Sequence, residues 1–187
     1  FIQSHEVPMF DVALVFKAGS RYAAPGLANF TGQSTLLGSK FQNKEQVNAK
    51  LNHSGSELNT IINPNSLIFS VRSLADTSVE TVNELFNSAV FTSVFPSQEI
   101  RSQRASIISD ITFDQTQPEA IAQQALYKLL FPSSPKFYSP INGYADTLEN
   151  FHTSDLQIFH NKMLAQPGTS ILIIGDLSEE KAKSIAN

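Results

Sequence analysis

The sequence contains no cysteine and few charged residues, and both absences narrow the possible functions. Without cysteine the chain forms no disulfide and offers no thiolate to a metal ion. Only 16% of the 187 residues are charged, the formal net charge is −4, and no basic patch is present. Nucleic acid and anionic membranes are therefore poor candidate partners. The longest apolar runs, such as residues 171–174, are far too short to span a bilayer.

Several catalytic motifs are also missing. No serine lies in a G-x-S-x-G elbow, so no Ser-His-acid triad is indicated, and there is no glycine-rich phosphate loop. None of the four histidines pairs with another at i, i+4. For His152 and His160, eight residues apart, a surface role or a helix cap is the favoured interpretation. The chain begins at Phe1 without a methionine, which indicates an excised piece or a processed form.

What remains fits a single α+β domain over residues 1–187. That length is enough to bury a sizeable core. Strands cluster early and one returns late, which predicts a two-layer α/β sandwich with a mostly antiparallel sheet and helices packed on one face. The predicted strands are residues 7–17, 56–63, 67–73 and 169–174. The predicted helices are residues 26–38, residues 44–53, and those that follow the caps Thr77, Ser97, Thr116, Thr153 and Ser178, the last cut short by the chain end.

Local signals mark the helix starts, the turns and the loops. Asn43 followed by Gln46 is typical of a capping box at a helix start. The turn at residues 63–65 predicts a hairpin, and residues 131–144, with three prolines and a glycine, predict an ordered loop. The helix after Thr116 carries an apolar stripe typical of a core-facing helix, made of Ala122, Ala125, Leu126, Leu129 and Leu130.

The predicted helix at residues 26–38 has the most informative spacing. Asn29, Gly32 and Gln33 stand at i, i+3 and i+4 and so share one face. The same spacing occurs in the inverted zinc motif H-x-x-E-H, where two histidines hold the metal and the glutamate acts on its water. Here none of the three residues has the required chemistry.

Five segments in this order resemble the pitrilysin/insulinase family of zinc metallopeptidases, peptidase family M16. They are LVFKAGSRY, GLANFTGQSTLLGS, the long segment from LIFSVRS to PSQEI, RASIISDI and SILIIGDLSEE. The resemblance covers nearly all of the chain and implies the LuxS/pitrilysin-like metallopeptidase fold. In the family the first segment is a central strand, and the second is the metal helix.

Active members of the family carry H-x-x-E-H on that helix and a third ligand, a glutamate, far downstream. Carried over, the two histidines fall on Asn29 and Gln33, the catalytic glutamate on Gly32 and the distant glutamate on Asp110. Neutral carboxamides are poor zinc ligands, although Asp110 is a conceivable one. Gly32 provides neither an acid nor a base. A cluster of amides bonded to one another or to water is the simpler interpretation.

The family provides a precedent for this loss, because its members have two halves that close around a peptide and only one half holds the metal. The resemblance thus implies a bacterial, catalytically inactive domain or subunit that helps form the chamber and bind peptide. Zinc is then expected only in a catalytic partner half carrying H-x-x-E-H, and a periplasmic or cell-envelope location is favoured over a cytoplasmic one. Two alternatives stay open: a structural or assembly subunit without a proteolytic role, and an active peptidase with a displaced metal site, for instance one using His53.

The predicted strand at residues 56–63 is a candidate for substrate binding. In active family members the corresponding strand lies at the sheet edge, where peptides add as an extra strand. Such pairing uses the main chain and survives loss of the metal. The residues expected to contact peptide are Ser56, Glu57, Leu58, Asn59 and Thr60. Five phenylalanines are candidates for a chamber wall, with core packing as the alternative: Phe91, Phe95, Phe131, Phe137 and Phe151.

Overall fold

A computed structural model describes residues 1–186 and contains one five-stranded sheet. The strands are β1 (Ile2–Gln3), β2 (Met9–Phe16), β3 (Glu57–Ile62), β4 (Leu67–Leu74) and β5 (Ser170–Gly175). Their order across the sheet is β1-β5-β2-β4-β3. Only β1 runs parallel to its neighbour, whereas the other three pairings are antiparallel. The predicted α+β class, the mostly antiparallel sheet and the hairpin of β3 and β4 are confirmed.

The helices pack on one face of this sheet. They are α1 (Leu27–Ser34), α2 (Lys44–His53), α3 (Val79–Phe86), α4 (Ser97–Asp114), α5 (Pro118–Leu130), α6 (Pro135–Tyr138), α7 (Ala145–Asn150), α8 (Thr153–Ala165) and α9 (Glu179–Ala186). A π-helical turn, Asn87–Phe91, extends α3. No helix among residues 1–186 is both long and apolar enough to cross a membrane.

The two faces of the sheet differ in burial. Along β2 every second residue is buried, from Phe10 to Phe16, and the residues between them are only partly buried. The opposite face carries an exposed ion pair in which Arg72 donates to both carboxylate oxygens of Asp11, at 3.0 and 3.2 Å. This face also exposes Ile61, Leu172 and Ile174. The helices therefore cover one face only, as predicted.

The core has two parts, and α1 lies between them. The larger part joins the sheet to α2, α3, α8 and α9 and includes Phe69 and Val82. The smaller part joins α4, α7 and α8 and includes Phe30 of α1. Ala28 of the same helix belongs to the larger part. Because both sides of α1 are covered, six of its eight residues are buried.

Several predicted helix starts move by one residue. Ser78, not Thr77, caps α3, since its hydroxyl accepts the N–H of Thr81 at 3.2 Å, while Thr77 is buried. Helix α4 begins at Ser97, with Pro96 as its cap. Gln117 rather than Thr116 precedes α5, and His152 rather than Thr153 precedes α8. The capping box of Asn43 and Gln46 is confirmed.

Three elements were not predicted, and one helix packs differently from expectation. Strand β1 and helices α6 and α7 are short, which leaves little periodicity to detect. No residue of α5 is buried. Its predicted stripe forms one continuous face, but that face is exposed, Leu129 to 79%. Periodicity identifies which face of a helix is apolar, whereas the presence of a neighbouring element depends on the tertiary fold.

Candidate functional site

The start of α1 is fixed by two glycines that touch. Gly26 precedes the helix with a φ of +87°, and Gly143, in the loop before α7, has a φ of +77°. Both values lie in the left-handed region that favours glycine. A Cβ atom on Gly143 would lie 2.7 Å from the nitrogen of Gly26. This close approach brings the loop, and with it Asn142, against the first turn of α1.

Four carboxamides then form a continuous ladder across α1. Gln103 of α4 donates to Oε1 of Gln33 at 2.9 Å, and Gln33 donates to Oδ1 of Asn29 at 3.0 Å. Asn29 in turn donates from Nδ2 to Oδ1 of Asn142 at 3.0 Å. All three bonds run in the same direction, and Asn29 is only 2% exposed. The amides at these positions thus bond one another, and both the oxygen and the nitrogen of the Asn29 side chain already have a protein partner.

Gly32, the third residue of the motif face, is sealed by packing. A Cβ atom there would lie 2.7 Å from Cδ1 of Leu67 and 3.1 Å from Cγ2 of Thr60. Leu67 is fully buried in the larger core. Since a single added carbon already lies too close to Leu67, a glutamate at position 32 requires Leu67 to shift within the core.

Asp110 does not join the other three predicted site residues. It is an exposed residue of α4, and within residues 1–186 it makes no hydrogen bond to Asn29 or Gln33. Gln103, two turns earlier on the same helix, contacts Gln33 instead. Sequence reasoning missed Gln103 and Asn142 because neither belongs to a local motif. The glycine at 143 was the one available signal that the chain approaches closely there.

Strand β3 forms an edge of the sheet. Its partner is β4, and no strand among residues 1–186 pairs with its other side. The strand alternates between exposed Glu57, Asn59 and Ile61 and partly buried residues that face the helices. Ser56 precedes it, and its buried hydroxyl lies 2.8 Å from that of Ser73. Of the predicted contact residues, 57 to 60 therefore lie along an open edge, whereas Ser56 anchors the strand.

A cavity of about 800 Å³ lies beside the ladder. Its wall includes Asn29 and Asn142 from the ladder and Ile62 from the end of β3. Helix α5 and residues 136–144 close the opposite side, with Phe131 and Phe137 in contact at 5.3 Å between ring centroids. The motif face, the edge strand and the cavity thus meet in one region of the molecule.

Comparison with protein families gives a match for most of the chain. The model of the insulinase family, peptidase family M16, matches residues 2–142. The chain belongs to this family. No match is found among curated proteins.

Several solved structures share the fold over 99% or more of the chain. A peptidase M16 inactive domain from Pseudomonas fluorescens is 26% identical with a TM-score of 0.90, covering 100% of this chain and 46% of that one. The periplasmic protease PqqL from Escherichia coli is 15% identical with a TM-score of 0.88, covering 99% and 21%. The first half of PqqL is 15% identical with a TM-score of 0.86, covering 99% and 41%. The chain thus spans less than half the length of each of these proteins.

The zinc ion that the M16 family implies does not fit the residues of this chain. Two motif positions carry neutral amides already bonded within the ladder, and Gly32 provides no acid or base. Within residues 1–186, no three His, Asp or Glu side chains lie close enough together to hold a metal ion. Asp110 stands apart on the surface of α4.

His160 is buried in this M16 domain, which corrects the predicted surface or capping role. It is 1% exposed and packs edge-on against Phe95, with ring centroids 5.7 Å apart. Its Nε2 lies 2.6 Å from the carbonyl oxygen of Val90 in the π-helical turn, so the Nε2–H tautomer donates to it. Burial lowers the pKa of His160 below its usual 6.5, although the bond to Val90 opposes this shift. His152, by contrast, is exposed at the start of α8.

Proposed function

We propose that this chain is a catalytically inactive domain of an M16 peptidase, forming part of the chamber and binding peptide opposite a catalytic half. The observation that carries the proposal is the ladder of carboxamides at the motif positions, with Gly32 packed against Leu67. Helix α1 then serves packing and the shape of the cavity, and this chain contributes no metal ligand and no base. Zinc and the H-x-x-E-H motif belong to the partner half.

The peptide is proposed to pair with the free edge of β3 along residues 57–60. An edge strand offers unpaired N–H and C=O groups to an extended chain, and this pairing requires no particular side chain. Loss of the metal at Asn29 and Gln33 therefore leaves the binding edge intact. The chain's low fraction of charged residues fits a surface that accepts varied sequences.

Backbone pairing can be tested with peptides that carry single N-methyl groups. A peptide added as a strand directs alternate amides toward β3. Methylation at one alternate set should abolish binding to the purified chain, whereas methylation at the other set should leave binding unchanged. Fluorescence anisotropy of a labelled peptide measures both series. Identical affinities for the two series would contradict pairing with β3.

The chamber role requires a catalytic partner and is tested separately. Peptide hydrolysis should rise when this chain is combined with an M16 chain that carries H-x-x-E-H. A partner that is fully active alone and unaffected by this chain would contradict the role.

Elemental analysis of the purified chain should find no stoichiometric zinc. Zinc at one equivalent, lost in Asp110→Ala, would instead support a displaced metal site.

A structural or assembly role is the second candidate, favoured by the exposed apolar residues Leu129 and Leu172. It predicts stable association with a partner and no effect on hydrolysis.

For location, we extend the proposal to the periplasm or cell envelope of a bacterium, because PqqL from Escherichia coli is periplasmic.

A further inference from the structure

The cavity beside the ladder lies in line with the proposed peptide path. Ile62, the last residue of β3, and Pro64 of the following turn form part of its wall. A peptide that extends past residue 60 along the edge of β3 therefore reaches the cavity mouth. At about 800 Å³, the cavity is larger than any single side chain requires.

The wall of the cavity is largely apolar and aromatic. Ile121 and Tyr127 of α5 line it and are 52% and 41% exposed, and Phe137 across from them is 47% exposed. An apolar ligand would remove this surface from water, which is the main driving force for binding in such pockets. Asp114 and Lys136 also line the cavity, and their opposite charges give no preference for a ligand of either sign.

The ladder ends in the cavity with an unused donor. Because Asn142 accepts from Asn29 through Oδ1, its own amide nitrogen points away from that bond. No hydrogen bond among residues 1–186 uses the Nδ2 of Asn142. Asn142 is partly exposed and lines the cavity, so this N–H group is available to a carbonyl oxygen of a ligand.

We propose that this cavity binds an aromatic or large aliphatic side chain of the peptide, while the amide of Asn142 donates to the peptide main chain. The inference rests on the proposed peptide binding at β3 and adds to it a preference for one class of side chain. Ile121, Tyr127 and Phe137 contact the side chain, and Asn142 fixes the position of the backbone beside it.

The test uses blocked peptides that differ at one position, which carries Phe, Leu, Ala, Asp or Lys. The full chain should bind the Phe and Leu peptides about tenfold more tightly than the Ala peptide. The Asp and Lys peptides should bind no more tightly than the Ala peptide. Ile121→Ser should remove this preference. Leu126→Ser is the matched control, because Leu126 is 53% exposed but lies on the opposite face of α5.

A second variant addresses the donor at the end of the ladder. Asn142→Asp keeps the oxygen that accepts from Asn29 and loses the amide N–H, so peptide affinity should fall about tenfold while the circular dichroism spectrum is retained. Equal binding of all five peptides, with N-methylation still discriminating, would overturn the pocket and leave β3 pairing intact. Absence of any peptide binding would overturn both.

Discussion

Gly32 determines whether α1 can return to a metal-binding helix. Replacing Gly32 by alanine adds helix propensity of about 1 kcal/mol but inserts a methyl group 2.7 Å from Leu67 Cδ1. Overpacking in a buried site costs about 1–3 kcal/mol, so we expect Gly32→Ala to lower the free energy of unfolding by about 1 kcal/mol. Urea denaturation measures this change. On a Leu67→Val background the penalty should shrink, and an unchanged penalty would show that Leu67 is not its cause.

Restoring the motif on α1 alone should fail to restore the metal. In the triple variant Asn29→His, Gly32→Glu, Gln33→His, the glutamate meets Leu67 and Thr60, and the ladder to Asn142 is broken. We expect a lower melting temperature than wild type and less than stoichiometric zinc after dialysis. The double variant without Gly32→Glu serves as the control. One equivalent of zinc with wild-type stability in the triple variant would contradict the packing argument.

His160 should make folding sensitive to pH. Because burial lowers its pKa in the folded state below the usual 6.5, the unfolded chain binds a proton more readily than the folded chain. Stability contributed by neutral His160 is therefore complete above pH 6.5 and is lost as pH falls below that value. His160→Gln should be less stable than wild type at pH 7 by about 1–3 kcal/mol, and its free energy of unfolding should change less between pH 7 and 5. Urea denaturation at several pH values measures this change. The control His53→Gln, at an exposed position, should show the same change of stability with pH as wild type.

At the scale of single residues, the sequence predicts part of the candidate site and misses the part that depends on contacts between distant segments. The shared face of Asn29, Gly32 and Gln33 follows from helical spacing, and α1 confirms it. Gln103 and Asn142 reach that face through contacts with α4 and the loop before α7. Such contacts depend on tertiary packing, which local spacing does not encode.

At the scale of single elements, α2 shows how a local signal decides a helix boundary. The side chain of Asn43 accepts the backbone N–H of Gln46 at 2.9 Å, and the side-chain oxygen of Gln46 accepts the backbone N–H of Asn43 at 3.0 Å. Asn43→Ala should lower the free energy of unfolding by about 1 kcal/mol. Asn52→Ala, at an exposed position on the same helix, is the control and should change it by less than about 0.5 kcal/mol. Equal effects of the two variants in urea denaturation would contradict a capping role.

Helix α5 shows the limit of the same kind of reasoning. Its residues carry apolar side chains on two faces, one along the cavity with Ile121 and Tyr127, and one open to water with Leu126 and Leu129. The stripe in the sequence marks the outer face, while the face that lines the cavity is interrupted by glutamines. Hydrophobic periodicity therefore indicated the helix correctly and its orientation toward the molecule incorrectly.

At the scale of the whole molecule, stability should be unevenly distributed. Helix α1 is enclosed by both parts of the core, whereas α5 has no buried residue. Amides in well-packed elements exchange slowly because they open only with large unfolding events. Hydrogen exchange followed by mass spectrometry should show α1 and the central strand β2 among the slowest segments and α5 among the fastest helices. Equal protection of α1 and α5 would contradict this order.

The order of strands and helices was accessible from sequence because long strands, caps and turns carry local signals. The free edge at β3 was implied only by the family resemblance and not by any local pattern, since an edge is defined by the strand that is missing beside it. No local pattern marks the uncovered face of the sheet either, where Ile61 and Leu172 lie exposed. Both features arise from how the elements assemble, and both concern surfaces on which a partner or a peptide can act.

The contact between Gly32 and Leu67 also has a consequence for laboratory evolution. In a library that randomises only positions 29, 32 and 33, each sequence with glutamate at position 32 is destabilised by crowding against Leu67 and Thr60 of the underlying strands. We therefore expect selection for zinc-dependent hydrolysis to proceed further when Leu67 and Thr60 vary together with the helix. The first productive step is then a smaller side chain in the sheet, taken before any ligand is introduced.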